Sequence, residues 1–192
     1  MGDKNVRKIQ FVLMAAFLVM PLAANAVVTL NFSEFAVGTV VSTQYAADGV
    51  YFLAGINGFN PIIADDFAMP GSPVLAPNSP YAGTFTIDFV GYATGVAFDS
   101  GYWDGLSTGV IEVYGADDST LLGTYTNGNI PYAHFDFGAA QIGSIFFDSR
   151  LDEGGADIDN LTFTPVPEPG TMILLGSGLV GLARYGRKWR KK

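Results

Sequence analysis

Hydrophobic and polar positions alternate in short runs through the central part of the chain, and glycine, proline, asparagine and aspartate separate these runs. Alternation over about four to eight residues is typical of half-buried β-strands. No run in this part combines a 3.6-residue periodicity with helix-capping residues. The pattern predicts nine strands, at Val27–Phe32, Val50–Leu53, Thr84–Val90, Thr94–Asp99, Val110–Tyr114, Leu121–Tyr125, Ala133–Phe137, Ile142–Phe147 and Asp157–Phe163.

Short strands at this spacing favour an all-β fold, and we predict an antiparallel β-sandwich over residues 27–164. The segment 57–83 interrupts this strand pattern, because it contains five prolines and is rich in alanine, asparagine and serine. We predict a long irregular surface loop there, and loops of that length are usually functional or mobile.

Charge is distributed very unevenly along the 192 residues. Residues 27–169 hold 17 of the 18 acidic residues, all but Asp3, whereas Arg150 is the single basic residue in this range. So acidic a body repels phosphate backbones, which excludes nucleic acid as a partner. The chain has no cysteine, which excludes disulfides, thiolate nucleophiles and cysteine-ligated zinc.

The first 26 residues have the organisation of a secretory signal peptide. Three basic residues precede the apolar stretch Ile9–Met20, and Pro21 follows that stretch. Ala24 and Ala26 then supply the small-x-small pattern that signal peptidase accepts, so we predict cleavage after Ala26. An uncleaved N-terminal anchor is the alternative, but the apolar stretch is short for a bilayer span.

Residues 165–192 combine an apolar run with a basic end. Thr171–Ala183 carries no charge and would extend about 20 Å as a helix, against a hydrocarbon core of about 30 Å. We therefore predict a marginal transmembrane helix, better suited to temporary than to permanent anchoring. A basic tail follows at Arg184, Arg187, Lys188, Arg190, Lys191 and Lys192. Basic residues stay on the cytoplasmic side, so the acidic body faces outward.

Prolines dominate the segment just before that helix. Pro165, Pro167 and Pro169 fix φ and lack an N–H group, so we predict an extended segment that joins no sheet. Its central motif consists of Val166, Pro167, Glu168, Pro169 and Gly170.

This order of a Pro-Glu-Pro motif, an apolar run and a basic cluster resembles the PEP-CTERM sorting signal of Gram-negative bacteria. The resemblance implies that the chain is a substrate of exosortase, a membrane transpeptidase that cuts near the Pro-Glu-Pro motif. It also implies that the protein is made by cells that produce extracellular polysaccharide and biofilm matrix. The alternative is a permanently membrane-anchored surface protein that keeps its tail.

The stretches "TFTIDF", "GVAFDS", "IGSIFFDS" and "ADIDNLTF" resemble the jelly-roll domains that commonly precede this signal, and those domains look like carbohydrate-binding modules. Such jelly rolls often carry a structural calcium between their first and last strands. Carried over by position, this suggests Glu34 with Asp157 or Asp159 as ligands, in a region rich in hard oxygen donors. The alternative is that these acids only end a turn.

Two further stretches contain candidate chemistry. Tyr102, Trp103 and Asp104 lie in a glycine-bounded loop, where aromatic faces could stack on sugar rings beside a hydrogen-bonding carboxylate. The alternative is that the aromatic residues plug the end of the sandwich. His134 is the only histidine, and its alternation with Phe135 predicts that it is exposed and structural.

No nucleophile elbow accompanies His134, because the G-x-S-x-G pattern does not occur. We therefore expect a non-enzymatic surface or extracellular-matrix protein, either structural or binding exopolysaccharide. A secreted glycan-active hydrolase is the alternative from another class.

Overall fold

The computed structural model describes residues 26–66, 73–78, 82–166 and 176–178. Ten β-strands lie within these residues, and the strand pairings are antiparallel. The strands are β1 Val28–Leu30, β2 Val50–Ala54, β3 Ile62–Ala64, β4 Val74–Ala76, β5 Thr84–Gly101, β6 Val110–Gly115, β7 Leu121–Tyr125, β8 Ala133–Asp136, β9 Ile142–Asp148 and β10 Asp157–Val166. A short 3-10 helix, Ala46–Asp48, precedes β2. The prediction of an all-β antiparallel body is confirmed.

Strand β5 organises the whole fold because its two halves pair with different neighbours. Residues 84–89 lie between β2 and β9, whereas residues 92–101 pair with β10, and β8 flanks the end of this half. Gly91, between the halves, has φ +79°, and Gly95, within the second half, has φ +61°. Both values fall in the left-handed region that glycine tolerates best. Two predicted strands are therefore one bent strand shared by two groups of strands.

The two groups enclose one apolar core. Phe89 from the first half of β5 packs against Phe163 of β10, with ring centroids 5.0 Å apart. Phe85 stacks on Phe147 of β9 at the same distance, and Trp103 packs on the other side of Phe147 at 5.9 Å. These rings are almost fully buried, and aromatic rings of this size contribute most of the buried area of a small core.

The prediction of an irregular loop over residues 57–83 is wrong in part. Within this segment β3 and β4 pair with each other, and Ile158 of β10 pairs with Leu75 of β4. Each strand has only three residues, too short for an alternation pattern to appear. Burial of all three residues of β4 supplies the stability that the local sequence does not signal.

Strand β10 is longer than its pattern predicts. It ends at Val166 and not at Phe163, so that Pro165 pairs with Ala93 and Val166 pairs with Tyr92. The prediction that Pro165 stays outside any sheet is therefore wrong. Proline has no N–H group to donate to the sheet. Near the end of a strand this loss removes little of the hydrogen bonding between strands.

Both ends of the body leave the fold together. Val28 of β1 pairs with Phe163 of β10, so the first residues of β1 and the last residues of β10 lie at the same end of the sheet. The predicted signal peptide falls outside the described residues up to position 25, and so does the predicted C-terminal helix except for the helical residues 176–178. No helix in the described ranges is long and apolar enough to cross a membrane.

Candidate functional site

A row of polar side chains crosses three strands on the face of the sheet opposite Phe98 and Ile158. His134 of β8 is directly opposite Asp99 of β5, and Asp99 is directly opposite Asp159 of β10. Directly opposed residues of antiparallel strands project on the same face. The intervening side chains, such as Phe98 and Ile158, project into the core. Strand alternation thus places three ionisable groups side by side.

The exposed end of this row is a histidine–carboxylate pair. His134 Nδ1 lies 2.7 Å from Asp99 Oδ1, and Asn160 Nδ2 donates to Asp99 Oδ2 at 3.0 Å. The side chains of His134 and Asp99 are 62% and 42% exposed, so solvent screens their attraction. The pair therefore offers oriented polar atoms to a ligand more than it offers stability. The predicted exposure of His134 is confirmed.

The other end of the row is buried and acidic. Asp157, two residues before Asp159 on the same face, is fully buried, and neither of its carboxylate oxygens has a hydrogen-bond partner of good geometry. Burial, followed by the neighbouring charge of Asp66, raises the pKa of Asp157 to about 8. Burial also raises the pKa of Asp159 to about 6, and the charge of Asp99 adds to this rise. Burial and the neighbouring carboxyl group therefore both favour the protonated form of Asp157.

A cleft of about 290 Å³ opens on the other side of His134. Tyr125, at the end of β7, is 41% exposed, and its ring packs edge-on against Phe137 at 5.1 Å. The cleft is lined by Tyr125, Thr126, Gly128, Asn129 and Ala133–Phe137. An exposed aromatic ring that is held by packing on a second ring and surrounded by hydrogen-bonding groups suits a polar ligand with an apolar face.

The loops beside this cleft are held in place by two buried polar side chains. Asp152 accepts hydrogen bonds from the N–H groups of Asp104 and Gly105, at 3.1 Å each, and from Thr108 Oγ1 at 2.6 Å. Asn127 accepts from the Gly109 N–H at 2.9 Å and donates to the Gly105 carbonyl at 2.6 Å. A buried carboxylate with several donors fixes a loop that has no regular structure of its own.

The predicted aromatic pair separates in this loop. Trp103 is 1% exposed and packs on Phe147, so its faces are not available to a sugar ring. This is the plugging arrangement that the sequence left as the alternative. Tyr102 is 39% exposed with φ +70°, and the Asp104 side chain is exposed beside Gly154.

The suggested calcium ligands have different neighbours in the structure. Glu34 is exposed and accepts a hydrogen bond from the Tyr45 hydroxyl at 3.0 Å, whereas Asp157 has Asp66 as its acidic neighbour. Burial and the bond to Glu34 raise the pKa of Tyr45. Across the described part of the chain, no three acidic or histidine side chains are grouped as metal ligands. Calcium binding stays a prediction.

Most residues of the predicted export signals lie outside the described ranges. Among the signal residues the structure describes Ala26 and Val166, the latter as the last residue of β10. The rest of the Pro-Glu-Pro motif, Ala24 and the basic tail are not among the described residues.

Sequence reasoning found neither the His134–Asp99 pair nor the Asp66–Asp157 pair. A usable signal was present, because Asp157 and Asp159 flank Ile158 in a strand whose other face is apolar. Alternation in "AFDS" likewise places Asp99 opposite Phe98. What the sequence could not supply is the register between the strands.

The fold and these features define an all-β antiparallel body with a polar outer face and a side cleft. Residues 165–191 match the family model of the PEP-CTERM protein-sorting motif. The chain therefore carries a PEP-CTERM sorting motif, which indicates export and sorting to the cell surface or the extracellular space.

Two solved structures of family 29 carbohydrate-binding modules are similar to the body. One is a mutant module, 14% identical with a TM-score of 0.32, and the match covers 62% of this chain and 98% of the module. The other is also 14% identical, with a TM-score of 0.33, and the match covers 60% of this chain and 90% of that module. No curated protein matches the chain by sequence.

Proposed function

We propose that this protein is a non-enzymatic component of the cell surface or extracellular matrix, in which a β-sandwich body of jelly-roll type binds polysaccharide. Signal peptidase removes the leader, the C-terminal helix holds the chain in the membrane, and exosortase then processes the sorting motif. The observation that supports a binding role is the exposed ring of Tyr125 in a cleft lined by polar groups.

The chemistry of the cleft favours a carbohydrate over other ligands. A sugar ring has an apolar C–H face that can rest on Tyr125 and hydroxyl groups that can bond to His134, Asp136 and Asn129. The surrounding body carries almost no positive charge, which disfavours phosphorylated or other strongly anionic ligands. The size of the cleft is near the lower limit for ligand sites, about 300 Å³, and suits one or two sugar rings.

A glycan-active hydrolase receives less support from the same geometry. Glycosidases need two carboxyl groups that flank the substrate bond, one of them with a raised pKa. Asp157 has the raised pKa, but its side chain is fully buried and a substrate cannot reach it. Permanent anchoring differs from our proposal only in whether the tail remains on the mature protein.

Binding of the secreted protein to exopolysaccharide from its own cells tests the proposed role. We expect Tyr125→Ala to weaken binding at least tenfold and His134→Ala to weaken it several-fold. Phe59→Ala is the matched control, because Phe59 is also an exposed aromatic residue, 55% exposed, and does not line the cleft. Equal binding by Tyr125→Ala and Phe59→Ala would remove the cleft as the site.

A further inference from the structure

The sorting motif begins inside the sheet and not after a linker. The family model starts at residue 165, and Pro165 and Val166 are the last two paired residues of β10. Pro167 follows immediately. The body and the motif therefore share residues, and the recognition segment starts where the fold ends.

Contacts from both groups of strands hold this end of β10. Pro165 pairs with Ala93 on β5, and a Cβ atom placed on Gly49 would lie 3.2 Å from Pro165 Cβ. Gly49 itself has φ +93°, and its carbonyl accepts the Val90 N–H at 2.9 Å. Pro165 thus lies close to Gly49, whose φ value is one that glycine tolerates best.

The same end is separable from the core. Phe163 is the last fully buried residue of β10 and is anchored on Phe89, whereas Thr164–Val166 are only half-buried. Pro165 cannot donate a ladder hydrogen bond, and the pairing with β5 is irregular between Thr162 and Thr164. These three residues can leave the sheet without exposing the core.

An enzyme that takes an extended peptide uses the backbone N–H and C=O groups of that peptide. In the folded body β5 pairs with one edge of this segment up to Val166, so an enzyme that needs the groups of that edge must displace β5. We propose that Thr164–Val166 is a release segment, which must unpair from β5 before exosortase can bind the sorting motif. This inference rests on the proposed processing by exosortase. The rate of sorting then depends on how often the end of β10 unpairs from β5.

The test is a pulse-chase measurement of precursor processing in cells that contain the exosortase, with the full chain throughout. Inserting Gly-Ser-Gly-Ser between Thr164 and Pro165 moves the whole motif away from the sheet, and we expect processing to become several-fold faster. The double variant Thr94→Cys with Thr164→Cys locks a pair that lies before the motif, since opposed residues of antiparallel strands have Cα atoms about 4.5–5.5 Å apart, within disulfide range. The chain has no other cysteine to compete.

We expect the locked chain to be processed at least tenfold more slowly, and a reductant to restore the rate. The lock combined with the insertion should be processed as fast as the insertion alone, which separates a local block from misfolding. An insertion without effect, a locked chain processed normally, or a block that the insertion does not relieve would each overturn the release segment. A different result would contradict the proposed processing by exosortase itself. In that case a chain without Pro167–Pro169 would still be processed normally.

Discussion

Asp157 lies fully buried beside Asp66, so the fold places two carboxyl groups next to each other and away from solvent. No arginine or lysine of the body can neutralise them, because Arg150 is paired with Asp148 at 2.7 Å. A proton on Asp157 is the simplest solution, and its pKa of about 8 is consistent with that. The raised pKa therefore favours a proton on this pair of carboxyl groups.

This proton makes stability depend on pH. The pKa of Asp157 is about 8 in the folded state and near 3.8 in the unfolded state, so between these values the folded state binds the extra proton. The free energy of unfolding is then highest below about pH 4 for this group and falls as pH rises towards 8. Each pKa unit is worth about 1.4 kcal/mol, so we expect a decrease of several kcal/mol. Denaturant unfolding in buffer with a chelator measures it.

Replacing Asp157 by asparagine should remove most of this dependence. The amide is neutral at every pH, so Asp157→Asn should be more stable than the native protein at pH 8 and similar to it near pH 4. The exposed Glu153→Gln is the control and should keep the native pH profile. A native profile in Asp157→Asn would assign the pH dependence to other groups.

Asp152→Ala should destabilise the loop that carries Tyr102. Two backbone N–H groups and one hydroxyl group lose their carboxylate acceptor, and hydrogen bonds to charged groups contribute about 1.5–3 kcal/mol each. We expect a loss of about 3 kcal/mol or more in denaturant unfolding. Glu153→Ala, which changes the neighbouring exposed acid, should cost less than about 0.5 kcal/mol. Similar losses for both would show that Asp152 does not fix the loop.

Alanine substitution should lower the stability of the protein much more at Trp103 than at Tyr102. Trp103→Ala removes a buried ring and should lower the free energy of unfolding by about 3–5 kcal/mol. Its folded fraction should still bind polysaccharide normally. Tyr102→Ala should leave stability within about 1 kcal/mol, because the ring is partly exposed. Reduced polysaccharide binding by folded Trp103→Ala, at native stability, would return Trp103 to the binding site.

How far the sequence predicts this molecule depends on the range of the interactions. Strands such as Leu121–Tyr125 are confirmed to the residue because alternation and turn residues are local properties. β3 and β4 escaped prediction because strands of three residues are too short to show alternation, and β4 pairs with β10, which is distant in sequence.

The site was harder to predict than the strands. Exposure of His134 followed from its position in a strand, but its contact with Asp99 depends on the register between β5 and β8. Trp103 shows the same limit, because a glycine-bounded loop is compatible with both an exposed and a buried ring. Its burial depends on Phe147, more than forty residues away in the chain.

The mass of the mature protein recovered from the cell surface or the medium tests our account most directly. We predict a product that begins at Val27 and ends near the Pro-Glu-Pro motif, without the apolar run and the basic tail. Recovery of the full 192-residue chain from the cytosol would contradict export and sorting together.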